Sequence, residues 1–386
     1  MQKGNTESVK VIFLSVIMIK HHFDFLCNFA IEQIQNTKDM KKIILTSLAM
    51  LTMMTGMAQE NLNPWGLVYD NAIEKNEVGK VQLRTVTYDV EGITVSANVY
   101  LPAKYDTGKK YPAIVVSHPN GGVKEQVSGM FAQKLAEAGY ITIACDARYQ
   151  GMSGGMPRGI DKPAYRIGDI HGMIDYISQF PGVDKERIGA FGICGGGGYT
   201  IAAAQSDKRI KAVATLSMFN TGRVRRNGYC DSQINTIQER LEQASKARQQ
   251  EAESGITVYP PKQKPMTDEQ IKALPFELYR EGMFYYGTSK YAHANSGAKA
   301  PLSCMFDLMT WDATDRMGLI QQPLLMMVGE KADSRYMTDE AMEKASGTKD
   351  KSLFVVPKAT HIQTYYVPEY VEKERAQLVK FFNEKL

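Results

Sequence analysis

The chain has 386 residues, of which 44% are hydrophobic and 23% charged, a composition that buries a core and excludes a disordered polypeptide. Its 46 basic and 42 acidic residues leave a formal charge of +4, scattered without a long like-charge block, so a nucleic-acid partner gains no support. The length admits two domains, or one α/β domain with an insertion.

In chain order the first signal begins at Met40, where two lysines precede an apolar run from Ile43 to Met54 and then the small residues Gly56 and Ala58. That is the grammar of a secretory signal over residues 40–58 with cleavage after Ala58. Such signals start at the initiating methionine, so translation is expected to start at Met40 and residues 1–39 to be an upstream extension. The stretch Val11–Ile19 is too short to cross a hydrocarbon core roughly 30 Å thick. The expectation is an exported chain of residues 59–386 with net charge +2, periplasmic or extracellular, without stable membrane insertion. No cysteine stands at the new N-terminus to carry a lipid.

Thr85–Tyr88 and Ile93–Tyr100 flank Glu91-Gly92 and predict two antiparallel strands joined by a tight turn. The rhythm then changes: strand Ala113–Ser117, helix Val123–Gly139, strand Ile141–Cys145, helix Tyr165–Phe180, strand Ile188–Gly192, a small-residue helix Gly195–Ala204 and strand Ala212–Ser217. Strands alternating with helices predict a mostly parallel sheet covered on both faces, with ligands at the C-terminal strand edge. The alternation stops over residues 219–317, which read as a helical, aromatic lid insertion. The run Thr267-Asp268-Glu269-Gln270 has capping-box spacing and opens one of its helices. Leu324–Gly329, Thr338–Ala345, Ser352–Val356 and Glu369–Leu386 resume the rhythm, so residues 59–218 and 318–386 form one core domain. Cys230 and Cys304, both in the insertion, are candidates for a disulfide or for two buried free thiols.

Chemistry concentrates in Gly192-Ile-Cys194-Gly-Gly196, an apolar strand running into G-x-C-x-G and a helix, which is the pattern of a nucleophile elbow with cysteine as the nucleophile. Glycines at 192 and 196 relieve clashes where strand and helix approach, and a helix N-terminus is expected to lower the thiol pKa. Acid and base should follow later strands. Asp333, with Glu330 as the other choice, follows Leu324–Gly329, and His361 follows Ser352–Val356. The backbone N–H of Gly195, joined by that of Asn120 or alternatively Gly121, is the expected oxyanion hole. Arg148 is a candidate for an acidic substrate group or for an ion pair with Asp146, and His118 reads as structural. Tyr285, Tyr286, Trp311 and Phe284 are candidates to line an acyl or aryl pocket, or to be ordinary lid core. No His/Cys/Asp spacing suggests a metal, and the chemistry requires no cofactor.

The elbow, the His118-Pro-Asn-Gly-Gly122 loop with Val123-Lys-Glu-Gln126, and Ala359-Thr-His361 resemble the α/β-hydrolases, most closely the dienelactone-hydrolase-like and Xaa-Pro-peptidase-like branches. The resemblance spans roughly Thr85 to Leu386. It implies an α/β-hydrolase fold and a Cys194–His361–Asp333 triad acting on a small-molecule ester, thioester or lactone. Two departures limit it: small dienelactone hydrolases lack such an insertion and are not usually exported. An exported Xaa-Pro peptidase, with Asp307 or Asp312 receiving the substrate amine, and a catalytically silent binding module are the alternatives. Substrate and oligomeric state stay open.

Overall fold

The computed structural model describes residues 63–262 and 264–386. The extension 1–39 and the signal 40–58 lie outside the described residues. The Glu91-Gly92 turn forms where it was expected. Strands β1 (Gln82–Val90) and β2 (Ile93–Leu101) pair antiparallel with Val90 opposite Ile93. Glu91 and Gly92 have φ of 52° and 81°, the positive values that a two-residue hairpin turn needs to match strand twist.

The remaining strands are β3 (Tyr111–Ser117), β4 (Ile141–Cys145), β5 (Val183–Ile193), β6 (Ile210–Leu216), β7 (Leu324–Gly329) and β8 (Lys351–Val356). They complete an eight-stranded sheet in the order β1-β2-β4-β3-β5-β6-β7-β8, parallel from β4 through β8. Its middle strands are buried on both faces, as their unbroken apolar runs require. Helices α1 (Val127–Glu137), α2 (Pro163–Ser178), α3 (Gly195–Ser206) and, further along, α9 (Arg335–Lys344) and α10 (Pro368–Lys385) supply the covering layers. This is the mostly parallel, doubly covered sheet that the alternation predicted, in the α/β-hydrolase arrangement that the resemblance implied.

One expected helix starts late. The turn at Val123–Gln126 precedes α1 because buried Asp146 takes both the backbone N–H of Lys124, at 2.8 Å, and its ammonium, at 2.8 Å. Those bonds pull the backbone out of helical register before Val127.

Between β6 and β7 the described residues hold no strand. This insertion carries α4 (Thr221–Asn227), α5 (Ile237–Ser254), α6 (Asp268–Lys272), α7 (Glu277–Met283) and α8 (Met305–Met309), with a π-helical turn at Phe284–Thr288. The capping box at Thr267 and Gln270 forms with both of its reciprocal bonds. The disulfide does not form. Of the two buried thiols expected in its place, Cys304 is buried and hydrogen-bonded to backbone at Asp161, but Cys230 is exposed, with Sγ 3.9 Å from the Asp333 carbonyl. The insertion folds these two cysteines onto different parts of the core.

Candidate active site

Chain direction across the sheet reverses between β3 and β5, since β3 leads outward to β4 and β5 leads the other way to β6, β7 and β8. The crevice at the C-terminal ends of such strands is where ligands bind in this architecture. Ser117 registers with Gly192, so the loop after β3 and the turn after β5 leave the sheet side by side. Cys194 sits at that turn with φ 54° and ψ −122°, a strained conformation for a residue with a Cβ, and caps α3. Its N–H donates to Leu216 O and its carbonyl accepts from Phe219 N, each at 2.9 Å, which holds the strain in place.

The glycines around it are a steric necessity. A Cβ on Gly196 would lie 2.5 Å from the carbonyl oxygens of Ser117 and His118, and one on Gly192 would lie 2.4 Å from Gly196 O. The thiol is buried, and the backbone N–H groups of Gly195 and Asn120 both donate to its sulfur. Gly121 instead turns its carbonyl to the insertion, accepting from Gly297 N at 2.7 Å. Burial pushes the thiol above its ordinary pKa, against the pull of the hydrogen bonds from Tyr365, Gly195 and Asn120 and of the Arg166 charge. The expected lowering by the helix terminus is therefore corrected: desolvation outweighs it.

The two later loops are brought together by an extension of the β7–β8 ladder. Glu330 N donates to Val356 O and Lys331 N to Ala359 O, both at 2.9 Å. His361 is buried, and burial lowers its pKa to about 4 although the Asp333 charge works against this. Its Nδ1 is 2.6 Å from the Ser334 hydroxyl and its Nε2 is 2.9 Å from the Tyr365 hydroxyl. Tyr365 in turn hydrogen-bonds the Cys194 thiol.

Asp333 lies beside this chain but spends its carboxylate on the insertion. Oδ1 accepts from the Tyr229 hydroxyl at 2.7 Å and Oδ2 from Leu278 N at 3.2 Å. Glu330 is engaged elsewhere, accepting from Lys358 N at 2.8 Å and thereby bracing the turn before His361. Sequence reasoning missed Ser334, Tyr365 and Arg166. Tyr365 had a signal, because four residues after His361 it falls one helical turn away, on the turn Gln363–Tyr365.

The substrate-binding expectations divide. Arg148 is corrected: it is buried, with Nε 2.6 Å from Asp169, Nη1 2.5 Å from Glu91 and Nη2 on Tyr165 O at 2.9 Å, so its fork is filled. The alternative partner Asp146 belongs to Lys124. Trp311 stacks on Tyr199 with ring centroids 5.0 Å apart, and Phe284 lies half-exposed against Tyr366. Tyr285 and Tyr286 do converge on the centre. Tyr285 packs edge-on to Tyr365 at 5.4 Å and to Tyr286 at 4.9 Å, and Tyr286 is close enough to sense charge on Cys194. His118 donates from Nδ1 to Pro119 O at 2.7 Å and accepts at Nε2 from Ala147 N at 3.1 Å, which leaves neither nitrogen for chemistry. Among the described residues no cluster of three or more His, Cys, Asp or Glu side chains is arranged to hold a metal, and no helix is long and apolar enough to cross a membrane.

Residues 91–285 match the family of X-Pro dipeptidyl-peptidases, the S15 family, and the chain belongs to that family of α/β-hydrolases. It is similar to the uncharacterised protein YcjY of Escherichia coli, 39% identical over 297 residues that make up 76% of this chain and 95% of that one. Protein PA2218 of Pseudomonas aeruginosa is 38% identical over 315 residues, 80% of this chain and 82% of PA2218. The crystal structure of PA2218 superposes with a TM-score of 0.75 over 84% of this chain and 98% of its own. The α/β-hydrolase GrgF of Penicillium shares the fold, with TM-score 0.64 at 19% identity over 78% of this chain and 98% of GrgF. A shorter stretch, 127 residues making up 33% of this chain and 38% of its relative, is 32% identical to the thiohydrolase aneE of Aspergillus aculeatus.

Proposed function

We propose that this hydrolase-family chain cleaves a small ester, thioester or lactone by transferring the acyl group to Cys194. The observation that carries the reading is the convergence of the Gly195 and Asn120 N–H groups on the sulfur of a cysteine held at a strained strand–helix elbow. Donors that meet at the nucleophile are placed for the oxygen that becomes negative when sulfur attacks a carbonyl, and each contributes about 3 kcal/mol to such a transition state. His361 takes the thiol proton and returns it to the leaving group. Asp333, at Coulombic range, favours the imidazolium formed in between. Water then releases the acyl group. Tyr285 and Tyr286 would form an apolar wall for the acyl chain.

The S15 family match favours a second reading, an exopeptidase. The carboxylates suggested for its substrate amine are already occupied. Asp312 bonds Asn220, Thr314 and Arg226, and Asp307 pairs with Lys162. A thiolate also reaches activated esters more readily than amides, so the ester reading stands first. Export through residues 40–58 belongs to the same proposal, and a mature N-terminus at Gln59 found by peptide sequencing would bear it out.

The test uses the full chain with p-nitrophenyl acetate and butyrate, and in parallel an Xaa-Pro p-nitroanilide, beside Cys194→Ala. Ester turnover that vanishes in the variant, with an acyl adduct on Cys194 in the parent by intact mass, is expected. Amide turnover without ester turnover would move the assignment to the peptidase. A folded parent with no turnover and no adduct would move it to a binding module.

A further inference from the structure

The hydroxyl of Tyr365 occupies the place where a triad would put a direct contact between nucleophile and base. It lies 2.9 Å from His361 Nε2, and on its other side it meets the Cys194 thiol. Among the described residues the side-chain partner of His361 Nδ1 is Ser334, and Asp333 is tied to Tyr229 and Leu278. Tyr365 is itself immobilised. It is buried, edge-on to Tyr285 at 5.4 Å and to the His361 ring at 5.6 Å, and its backbone N–H donates to Ile362 O at 2.9 Å. A hydroxyl that both donates and accepts, fixed between an acid and a base, is a proton conduit.

Resting on the reading of Cys194 as nucleophile, we propose that Tyr365 is a catalytic residue that relays the thiol proton to His361, so that the working unit is Cys194–Tyr365–His361–Ser334. With the imidazole proton on Nδ1 facing Ser334, the Tyr365 O–H donates to Nε2 and its oxygen accepts from the thiol. As the substrate carbonyl arrives, the S–H bond breaks toward the Tyr365 oxygen while the Tyr365 O–H bond breaks toward Nε2. The sulfur electron pair forms the C–S bond, and the carbonyl π pair becomes the oxyanion on the Gly195 and Asn120 N–H groups. On collapse the C–O or C–S bond to the leaving group breaks, and the proton on Nε2 returns through Tyr365 to that group. The same path then takes a proton from water as its oxygen bonds the acyl carbon, and returns that proton to the Cys194 sulfur as the C–S bond breaks and the acid leaves. The phenol is neutral before and after each step, so the burial that holds Tyr365 far above an ordinary tyrosine pKa is no obstacle.

The experiment compares parent, Tyr365→Phe, His361→Ala and the double variant in the full chain, reading p-nitrophenyl butyrate turnover and, because Cys230 is also a free thiol, iodoacetamide alkylation of Cys194 by peptide mass mapping across pH. A relay predicts a loss of about 100-fold or more in kcat/KM for Tyr365→Phe, the usual reach of positioned proton transfer. It predicts Cys194 alkylation shifted to higher pH, and almost no further loss when Tyr365→Phe is added to His361→Ala, since both cut one path. Should Tyr365→Phe fold poorly, site-specific trifluorotyrosine at 365 nearly keeps the size and makes the phenol more acidic. A moved alkylation profile then supports the relay, and an unmoved one overturns it. Tyr365→Phe turning over as fast as the parent, or losses that add in the double variant, would overturn the relay while leaving the nucleophile intact. A parent without turnover or a Cys194 adduct would sink the nucleophile reading and the relay with it.

Discussion

Replacing His361 by Gln isolates a stability term that the structure makes large. The imidazole is buried, and its pKa falls from an ordinary value near 6.5 to about 4 because the charged form is desolvated. The unfolded chain therefore takes up the proton first. This histidine's contribution is complete above about pH 6.5, drains as pH falls, and levels off below about pH 4. Working the two binding curves through at pH 5, the unfolded state gains about 2 kcal/mol from protonation that the native state does not match. His118, lowered to about 3 by the same cause, adds a similar amount, but it is present in both proteins and cancels in the comparison. Urea unfolding of parent and His361→Gln at pH 7 and pH 5 is the assay. The stability difference between them should shift by about 2 kcal/mol in the variant's favour on going to pH 5. A difference that stays constant, or moves the other way, would refute a neutral buried His361.

Three other expectations follow from the same structure. Gly196→Ala forces a methyl to within 2.5 Å of two carbonyl oxygens that belong to backbone and cannot swing aside, so a loss of about 1–3 kcal/mol or more is expected; a thermal midpoint equal to the parent's would contradict the packing. Arg148→Met strands the buried carboxylate of Asp169 and should cost about 3–5 kcal/mol without altering KM for acidic against neutral esters. A KM rise confined to acidic esters would restore Arg148 as a substrate ligand. Tyr229→Phe removes the bond that ties Asp333 to the insertion, and with it about 1.5–3 kcal/mol. Hydrogen exchange at the Leu278 amide, the other bond to Asp333, should accelerate, and unchanged exchange would show that the two bonds are not one clamp.

Chain order alone placed the turn at Cys194, the loop His118–Gly122 and the loop carrying His361 together, because each follows a strand whose register puts its end at one sheet edge. It did not reveal who touches whom. Asp333 and Ser334 are neighbours on one loop, and nothing in their spacing says that the serine receives Nδ1 while the carboxylate turns to Tyr229, a residue more than one hundred positions earlier. Arg148 misled because an arginine in a loop at the ligand edge looks available, whereas its partners Glu91 and Asp169 come from the hairpin and from α2.

Sequence by itself determined the parallel sheet, the order of its strands' chemistry and the glycines that permit a strained Cys194, since these rest on local period and local sterics. Tertiary structure alone decided the protonation and partners of that chemistry. Burial depth sets the pKa values of Cys194 and His361, and the docking of the insertion sets the hydrogen bonds of Asp333. Both depend on which distant segments exclude water from the site, a property that no local pattern of residues encodes.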